Sequence, residues 1–332
     1  MRNRTVIFLG IMALAAAVAG LIGLADPGAG GETIAIICPW GVGSVGDGML
    51  CALKPLLEEK LDADVEIRYV EGEGGLRGVR YASEMPADGK HFIFITQSMV
   101  INDLKGKIEF PFREAFEPVA RLTDAVYILS TSFDTACSLF GSYRDMLAYA
   151  RSHPGGIACG ALSLSGIDGL AMEKLFPDGI VTPVEYDSGK ALTQAVLEGE
   201  VQMQICCAGE IMGLIERNDL IPLVVLSDER LAMLPDVPCT GELGLNAAVG
   251  TWSGLCAPAG TEKEKIERIC SALSEIAEDP GWIRYLTMSS YNGRGAFLDT
   301  AGFERFLENE YGRYTAFLQQ RGLLKRFYGE MD

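Results

Sequence analysis

Short runs of apolar, often β-branched residues alternate along this chain with segments whose apolar positions recur every three or four residues. The runs predict strands at 33–38, 65–70, 92–96, 127–131, 156–159, 181–184, 201–206 and 220–226. The segments between them predict helices at 47–60, 75–85, 143–152, 167–176 and 190–198. This alternation predicts an α/β fold in which crossover helices connect parallel strands.

The pattern changes after residue 226. A proline-punctuated connector, "SDERLAMLPDVPC", leads to one more predicted strand in "VGTWSGLCAPAG". A capping box of Thr261 and Glu264 is expected to start the next helix, and Asp279 and Pro280 are expected to end it. The apolar stripe of that helix comprises Ile266, Ile269, Leu273 and Ile276. A last amphipathic helix is predicted at 301–319.

The first 25 residues have the features of an export signal. Arg2 and Arg4 precede an uncharged run over 5–25, which ends in the small residues Gly23-Leu24-Ala25. We expect cleavage after Ala25. The run is also long enough to cross a bilayer, so an uncleaved anchor is the alternative. In both cases the rest of the chain is expected to act outside the cytoplasm, in the periplasm.

Charge and composition narrow the function classes. The chain has 45 acidic residues against 28 Lys and Arg, for a formal net charge of −17. Such a field disfavours nucleic acid, and any anionic ligand must be held by local donors. Nine cysteines lie mostly in apolar runs without a C-x-x-C motif, which indicates buried free thiols. With only His91 and His153 available, no metal site, cofactor or histidine triad is predicted.

A glycine-rich motif, Gly41-x-Gly43-x-x-Gly46, directly follows the first predicted strand. Its spacing matches a dinucleotide fingerprint, with Glu66 twenty residues beyond the last glycine. A turn of this kind before a helix equally suits a carboxylate. Export and the position of Glu66 inside a predicted strand favour the carboxylate.

Five segments in order extend this interpretation. They are "PWGVGSVGD" (39–47), "MPADGKHFIF" (85–94), "FEPVARL" (116–122), "LPDVPCTGELGL" (234–245) and "TWSGLCAPAGT" (251–261). Together they resemble the Bug/TctC family, the extracytoplasmic solute receptors of tripartite tricarboxylate transporters. The resemblance implies a two-domain periplasmic-binding-protein fold of type II, with two crossover strands and a ligand cleft between the domains. It implies a first domain of 31–127 plus 229–332 and a second domain of 128–228.

The function that the resemblance implies is not enzymatic. A monomeric receptor would capture a small organic acid by domain closure and deliver it to an integral-membrane permease. One alternative is a receptor that presents its ligand-loaded face to a membrane sensor. The other alternative is an exported enzyme. A serine hydrolase would need a G-x-S-x-G elbow around Ser44, but Val42 occupies the position of the first glycine.

Turns at the ends of predicted strands supply the expected ligand contacts. In the first domain these are Trp40, Gly43, Ser44, Val45, Gly46, Asp47, Thr96, Gln97 and Ser98. In the second domain they are Ala161, Leu162, Ser163, Ser165, Gly166, Asp168, Tyr186, Ser188, Gly189 and Cys206. Backbone N–H groups at 44–46 are the expected donors. Asp47 is either a helix cap or a ligand contact, and Trp40 is either a ligand wall or a hydrophobic plug.

The chain departs from the family pattern in its second domain. The family's Ser-Pro-Ser-His is replaced by Gly166-Ile167-Asp168-Gly169, and the family's later acidic residue aligns with Cys206. The loop at 185–192 is one residue short. Asp168 is expected to compete with a ligand carboxylate, which favours a ligand that also has an ammonium or hydroxyl group.

Overall fold

The computed structural model describes residues 31–245, 247–289, 291 and 296–325; the predicted export signal at 1–25 lies outside them. Within the described ranges the strands are Thr33–Cys38 (β1), Asp64–Tyr69 (β2), His91–Thr96 (β3), Phe116–Ser132 (β4), Ala158–Ala161 (β5), Thr182–Glu185 (β6), Met203–Cys207 (β7), Leu220–Leu226 (β8) and Gly250–Pro258 (β9).

The helices of the same ranges are Val45–Leu61 (α1), Leu76–Ser83 (α2), Gln97–Leu104 (α3), Phe112–Ala115 (α4), Phe133–Ser138 (α5), Tyr143–Ser152 (α6), Ile167–Leu175 (α7), Gly189–Leu197 (α8), Ala208–Glu216 (α9), Lys263–Ala277 (α10), Pro280–Met288 (α11) and Thr300–Gln320 (α12). None of these described helices combines the length and apolarity that a membrane span requires. The predicted α/β class is confirmed.

The strands form one sheet in the order β2-β1-β3-β9-β4-β7-β5-β6, and β8 pairs with β4. Strand β1 pairs in parallel with β2 and β3, and β5 pairs in parallel with β6 and β7. Strands β4 and β9 run antiparallel to each of their partners. Two parallel halves are therefore joined through an antiparallel centre.

Strand β4 connects the two halves. Its residues Phe116 to Val126 pair with β9, and from Tyr127 onward it pairs with β7 and β8. We call β1, β2, β3, β9 and the first part of β4 the first lobe, and β5 to β8 with the rest of β4 the second lobe. The chain returns to the first lobe through β9. This is the predicted two-domain type II fold; the domain boundaries at 127/128 and 228/229 stay a proposal.

Helix α12 ties the lobes together along one side. It packs against β4 and α3, and buries Tyr314, Phe317 and Leu318. Just beyond its end, the Arg321 guanidinium donates to the Leu164 carbonyl at 3.0 Å. The Lys105 ammonium, after α3, donates to the Ser165 carbonyl at 2.8 Å. First-lobe cations therefore bind the second-lobe turn before α7.

One prediction about the C-terminal helices is wrong, and the predicted end of the first of them at Asp279 and Pro280 is confirmed. Helix α10 begins at Lys263 after Glu262, without a side-chain cap, while the Thr261 hydroxyl donates to the Pro258 carbonyl at 2.7 Å. The predicted capping box is therefore absent. Asp279 follows the end of α10 but also starts α11, since its side chain accepts the N–H groups of Gly281 and Trp282. An aspartate before a proline is a typical helix start.

Candidate functional site

A cavity of about 520 Å³ lies between the two lobes. The first lobe contributes Trp40, Ser44, Val45, Gly46, Met49, Phe94, Thr96 and Gln97. The central strands contribute Thr123, Tyr127, Thr251, Trp252 and Ser253. The second lobe contributes Cys207, Gly209 and Glu210, and Ser289 and Tyr291 complete the described lining. The cavity lies at the carboxyl ends of β1, β3 and β7, where α/β folds bind ligands.

The start of α1 forms one wall. Ser44 is the N-cap, in extended backbone geometry, and its Oγ accepts the Asp47 N–H at 3.1 Å. The Asp47 carboxylate in turn accepts the Gly43 N–H at 2.7 Å. Within the described part of the chain, the N–H groups of Val45 and Gly46 have no protein acceptor. Two unengaged donors therefore stand at the positive end of a 17-residue helix.

Protein donors occupy both oxygens of Asp47. Besides Gly43, it accepts from the Tyr69 hydroxyl at 2.6 Å and the Cys51 thiol at 3.3 Å. The bond from Tyr69, followed by that from Gly43, lowers the pKa of Asp47. Asp47 is buried and does not line the cavity. Its contacts explain the residue as part of the helix start, and a ligand contact for it stays a prediction.

Aromatic rings close over the glycine of this turn. A β-carbon on Gly46 would lie 3.1 Å from Phe94 Cε1 and 3.3 Å from Trp40 Cε3. The Trp40 and Phe94 rings meet edge to face with centroids 6.0 Å apart. Glycine at position 46 therefore lets both rings approach the helix start. Trp40 lines the cavity and also packs against both cores, and its role as a ligand wall stays a prediction.

The turn after β3 adds polar groups. Thr96 caps α3 by accepting the Ser98 N–H, and the two hydroxyls lie 2.8 Å apart. The Gln97 side-chain carbonyl accepts the Trp252 N–H at 3.4 Å, which links this turn to β9. Thr96 and Gln97 line the cavity, whereas Ser98 does not.

The central strands provide a fixed floor. The hydroxyls of Thr123 on β4 and Ser253 on β9 lie 2.6 Å apart. The Trp252 indole N–H donates at 2.8 Å to Glu310, a buried acid on α12 that lies 2.5 Å from Arg313. Burial raises the pKa of Glu310. The floor is held within the central strands and by α12, and it is also linked to the first wall, because the Trp252 backbone N–H donates to Gln97 and the Ser253 hydroxyl donates to Met49 Sδ at 3.1 Å.

The start of α9 forms the opposite wall. Cys207 ends β7 and precedes this helix, and Gly209 and Glu210 follow in its first turn. Cys207 lines the cavity, while Cys206 packs with Ile128 in the second-lobe core. Adjacent strand residues point to opposite faces, so only one of the two cysteines reaches the cleft. Burial raises the pKa of Cys207 to about 11, which keeps it a thiol.

In the turn before α7, where ligand contacts were predicted, backbone N–H groups bind the carboxylate of Asp168. Asp168, which is 2% exposed, accepts the N–H groups of Leu162 at 2.7 Å and Ser163 at 3.0 Å. Burial raises its pKa against the effect of these donors. None of the predicted contacts of this turn lines the cavity; they are Ala161, Leu162, Ser163, Ser165, Gly166 and Asp168.

The remaining second-lobe predictions fall at the start of α8. The Tyr186 hydroxyl donates to Glu200 at 3.0 Å, and Ser188 caps α8 by accepting the Ala191 N–H at 3.3 Å. Gly189 lies close to one lining residue, since a β-carbon there would lie 3.2 Å from Glu210 Oε2. Neither they nor Cys206 line the cavity, and their ligand roles stay predictions.

Several lining residues were missed from the sequence, among them Met49, Phe94, Tyr127, Glu210, Trp252 and Tyr291. Trp252 stands inside "TWSGLCAPAGT", a segment that carries the family resemblance, and its aromatic side chain could have marked it. Glu210 belongs to α9, a helix that the apolar pattern did not reveal. No group of His, Cys, Asp and Glu in the described ranges is arranged to hold a metal ion.

Comparison with known proteins identifies a family whose model this chain matches. Residues 53–323 match the model of the tripartite tricarboxylate transporter family receptor, TctC. A UPF0065 protein of Bordetella pertussis is 21% identical over 294 residues, which cover 87% of this chain and 90% of that protein. A TctC solute-binding protein from Polaromonas, solved without ligand, has a TM-score of 0.78 at 18% identity, covering 87% and 98% of the two chains. Rpa4515 of Rhodopseudomonas palustris, solved with adipate, has a TM-score of 0.68 at 22% identity, covering 88% and 97%.

Proposed function

This chain belongs to the family of tripartite tricarboxylate transporter receptors, and on that premise we propose that it binds a small organic acid between its lobes. The observation that carries the proposal is the pair of unengaged N–H groups of Val45 and Gly46, which stand at the start of α1 on the cavity wall. A carboxylate there accepts both hydrogen bonds and is stabilised by the helix dipole. The adipate bound by the Rpa4515 protein supports an organic acid as the ligand class.

The rest of the cavity suits a short carbon skeleton. The rings of Trp40, Phe94 and Trp252 offer apolar contact, and the hydroxyls of Thr123 and Ser253 offer weaker polar contacts. A dinucleotide has less support. Glu66 lies inside β2, where its carboxylate pairs with Arg68 at 2.7 Å, and it does not line the cavity.

Capture would proceed by closure of the lobes. Donors of α1 belong to the first lobe and the start of α9 belongs to the second, so one ligand that contacts both favours the closed form by its differential affinity. In our proposal the mature protein works in the periplasm, as members of its family do, and delivers the acid to a tripartite tricarboxylate-type permease.

Proline at position 45 tests the proposed donors. Val45 is the first residue of α1, where proline is tolerated, and Ser44 before it already has the extended geometry that proline demands (φ −74°, ψ 165°). Val45→Pro therefore removes one donor at little cost to folding. A hydrogen bond to a charged group contributes about 1.5–3 kcal/mol, so affinity for the carboxylate should fall about 10- to 100-fold.

The acid for this titration comes from a thermal-shift screen of mono-, di- and tricarboxylates, followed by calorimetry. The matched control is Lys263→Pro, which puts proline at the first position of α10 after Glu262, whose backbone angles (φ −56°, ψ 136°) also suit a following proline. It should leave affinity unchanged. Equal affinity of Val45→Pro and the unaltered protein would refute the donor assignment. A melting shift with NAD and none with any organic acid would refute the proposed function.

A further inference from the structure

The described wall of the cavity carries one formal charge, and that charge is negative. Glu210 lines the cavity, whereas no lysine, arginine or histidine does so among its described lining residues. The other ionisable groups of this wall are neutral near pH 7. Burial raises the pKa of Cys207 to about 11, and it also raises the pKa values of Tyr127 and Tyr291.

The Glu210 carboxylate has no protein donor within the described residues: neither a hydrogen bond nor an ion pair reaches it. It stands in the first turn of α9 and close to Gly189, the first residue of α8. A carboxylate at a helix start is stabilised by the dipole even without a ligand. The helix start therefore accounts for the stability of the Glu210 carboxylate. On the side that faces the cavity, a ligand can supply the hydrogen-bond donor that the described residues do not.

A second carboxylate stands behind the same wall. Tyr127 lines the cavity, and besides burial the nearby Asp168 carboxylate, which does not line it, contributes to raising the pKa of the Tyr127 phenol. After burial, the charge of Asp168 is the second cause that raises the pKa of Glu210. The second-lobe side of the cavity is therefore negative, while the start of α1 on the first-lobe side is positive.

Aromatic rings belong to the same cavity lining as these two charged ends. Trp40, Tyr127 and Trp252 all contribute to the lining, and Trp252 is held in place by its bond to Glu310. The faces of such rings attract cations as well as apolar groups. They accommodate a cation beside Glu210 without supplying a competing positive charge.

We propose that the ligand is a zwitterion whose carboxylate binds at the start of α1 and whose ammonium group binds Glu210. The inference rests on the proposed function, from which it takes the carboxylate end. Because the two protein groups lie on opposite lobes, the two charges belong at opposite ends of the ligand, as in an ω-amino acid. A dicarboxylate would set its second carboxylate against Glu210, with no described cation on the wall to compensate.

Ligands of equal length separate these cases. Calorimetry with 4-aminobutyrate, succinate and butyrate, and with 6-aminohexanoate, adipate and hexanoate, varies only the group at the far end. In one of the two series we expect the aminoalkanoate to bind at least about 10-fold more tightly than the dicarboxylate. Glu210→Gln should abolish this preference by weakening the aminoalkanoate and strengthening the dicarboxylate.

The matched control is Glu216→Gln, an exposed glutamate at the other end of α9 that does not line the cavity. It should leave the whole ranking unchanged. Tighter binding of the dicarboxylate by the unaltered protein, or an unchanged ranking in Glu210→Gln, would overturn the zwitterion. If dicarboxylates bind and Val45→Pro weakens them, the proposed function survives that failure. If none of the six compounds and no other carboxylate binds, the proposed function fails together with this inference.

Discussion

Two strand-to-helix turns, one in each lobe, share their ingredients and differ in what they leave available. Before α1, Asp47 accepts the Gly43 N–H, and the amides of Val45 and Gly46 remain unengaged at the cavity wall. Before α7, Asp168 accepts the N–H groups of Leu162 and Ser163, and none of that turn lines the cavity. A glycine-rich turn with an aspartate therefore does not by itself mark a ligand site.

The two turns differ in which backbone N–H groups their aspartate carboxylate accepts. Asp47 is the third residue of its helix and closes a ring with the residue before the N-cap. Asp168 is the second residue of its helix and reaches back to the amides just beyond β5, where a ligand carboxylate was expected. The amides of the second-lobe turn thus bind the carboxylate of a residue of the same chain, Asp168. The Lys105 ammonium packs against this turn and donates to the Ser165 carbonyl. These contacts stabilise the turn itself, and a ligand contact for its residues stays a prediction.

The largest effect in this comparison is expected for Asp168→Ala. The substitution leaves the amides of Leu162 and Ser163 without their acceptor in a buried site, which should lower the free energy of unfolding by about 2–4 kcal/mol. Urea denaturation measures it. Glu185→Ala is the control, because Glu185 accepts the Leu164 N–H of the same turn at an exposed position. A loss no larger than that of the control would mean that Asp168 is not the anchor of its turn.

A smaller effect is expected for Ser44→Ala. Loss of the N-cap of α1 should cost about 1 kcal/mol of unfolding free energy and, because Ser44 lines the cavity, should also weaken acid binding. Ser188→Ala removes an equivalent cap from α8, away from the lining. It should lower stability comparably without changing affinity in calorimetry. Weaker binding in Ser188→Ala would restore the second-lobe turn at 186–189 as a ligand contact.

The sequence predicts elements best where apolar runs are uninterrupted. The bounds of β1, β8 and α6 agree with the prediction. In β4 only 127–131 was predicted, because Pro118, Arg121 and Asp124 interrupt its first part. Tertiary contacts compensate for these residues: the buried Arg121 guanidinium lies 3.5 Å from Asp124 and 4.5 Å from the Phe306 ring centroid. The contact between Arg121 and Phe306 joins segments far apart in the chain, and no local pattern reveals it.

The lining residues of the candidate site also divide into those that a local pattern predicts and those that depend on tertiary contacts. Trp40, Ser44, Val45, Gly46, Thr96 and Gln97 were predicted and line the cavity, because they belong to local strand-to-helix turns. The second wall depends on which strand ends face the cleft. That requires the pairing of β7 with β4 and β5, which also decides that Cys207 rather than Cys206 reaches it. Glu210 was missed because its helix follows β7 directly, without a turn between them that would mark its start.

The smallest expected effect distinguishes the two aspartates by the sign of their pH dependence. The pKa of Asp47 is lowered, first by the Tyr69 hydrogen bond, so the stabilisation it contributes is present above the unfolded pKa of about 3.9 and is lost as the pH falls through the folded value. The pKa of Asp168 is raised, first by burial. Its contribution is present below about pH 3.9 and is lost as the pH rises through the folded value.

Denaturation at a series of pH values, with Asp47→Asn and Asp168→Asn as reference proteins, measures these contributions separately. The unfolding free energy of the unaltered protein minus that of Asp47→Asn should rise with pH, in the window below about pH 4. The same difference taken against Asp168→Asn should fall with pH, in the window above about pH 4. Slopes of equal sign would mean that the donors from Leu162 and Ser163 outweigh the burial of Asp168. The two turns would then hold their carboxylates by the same balance of forces, and the contrast between them would reduce to which one faces the cavity.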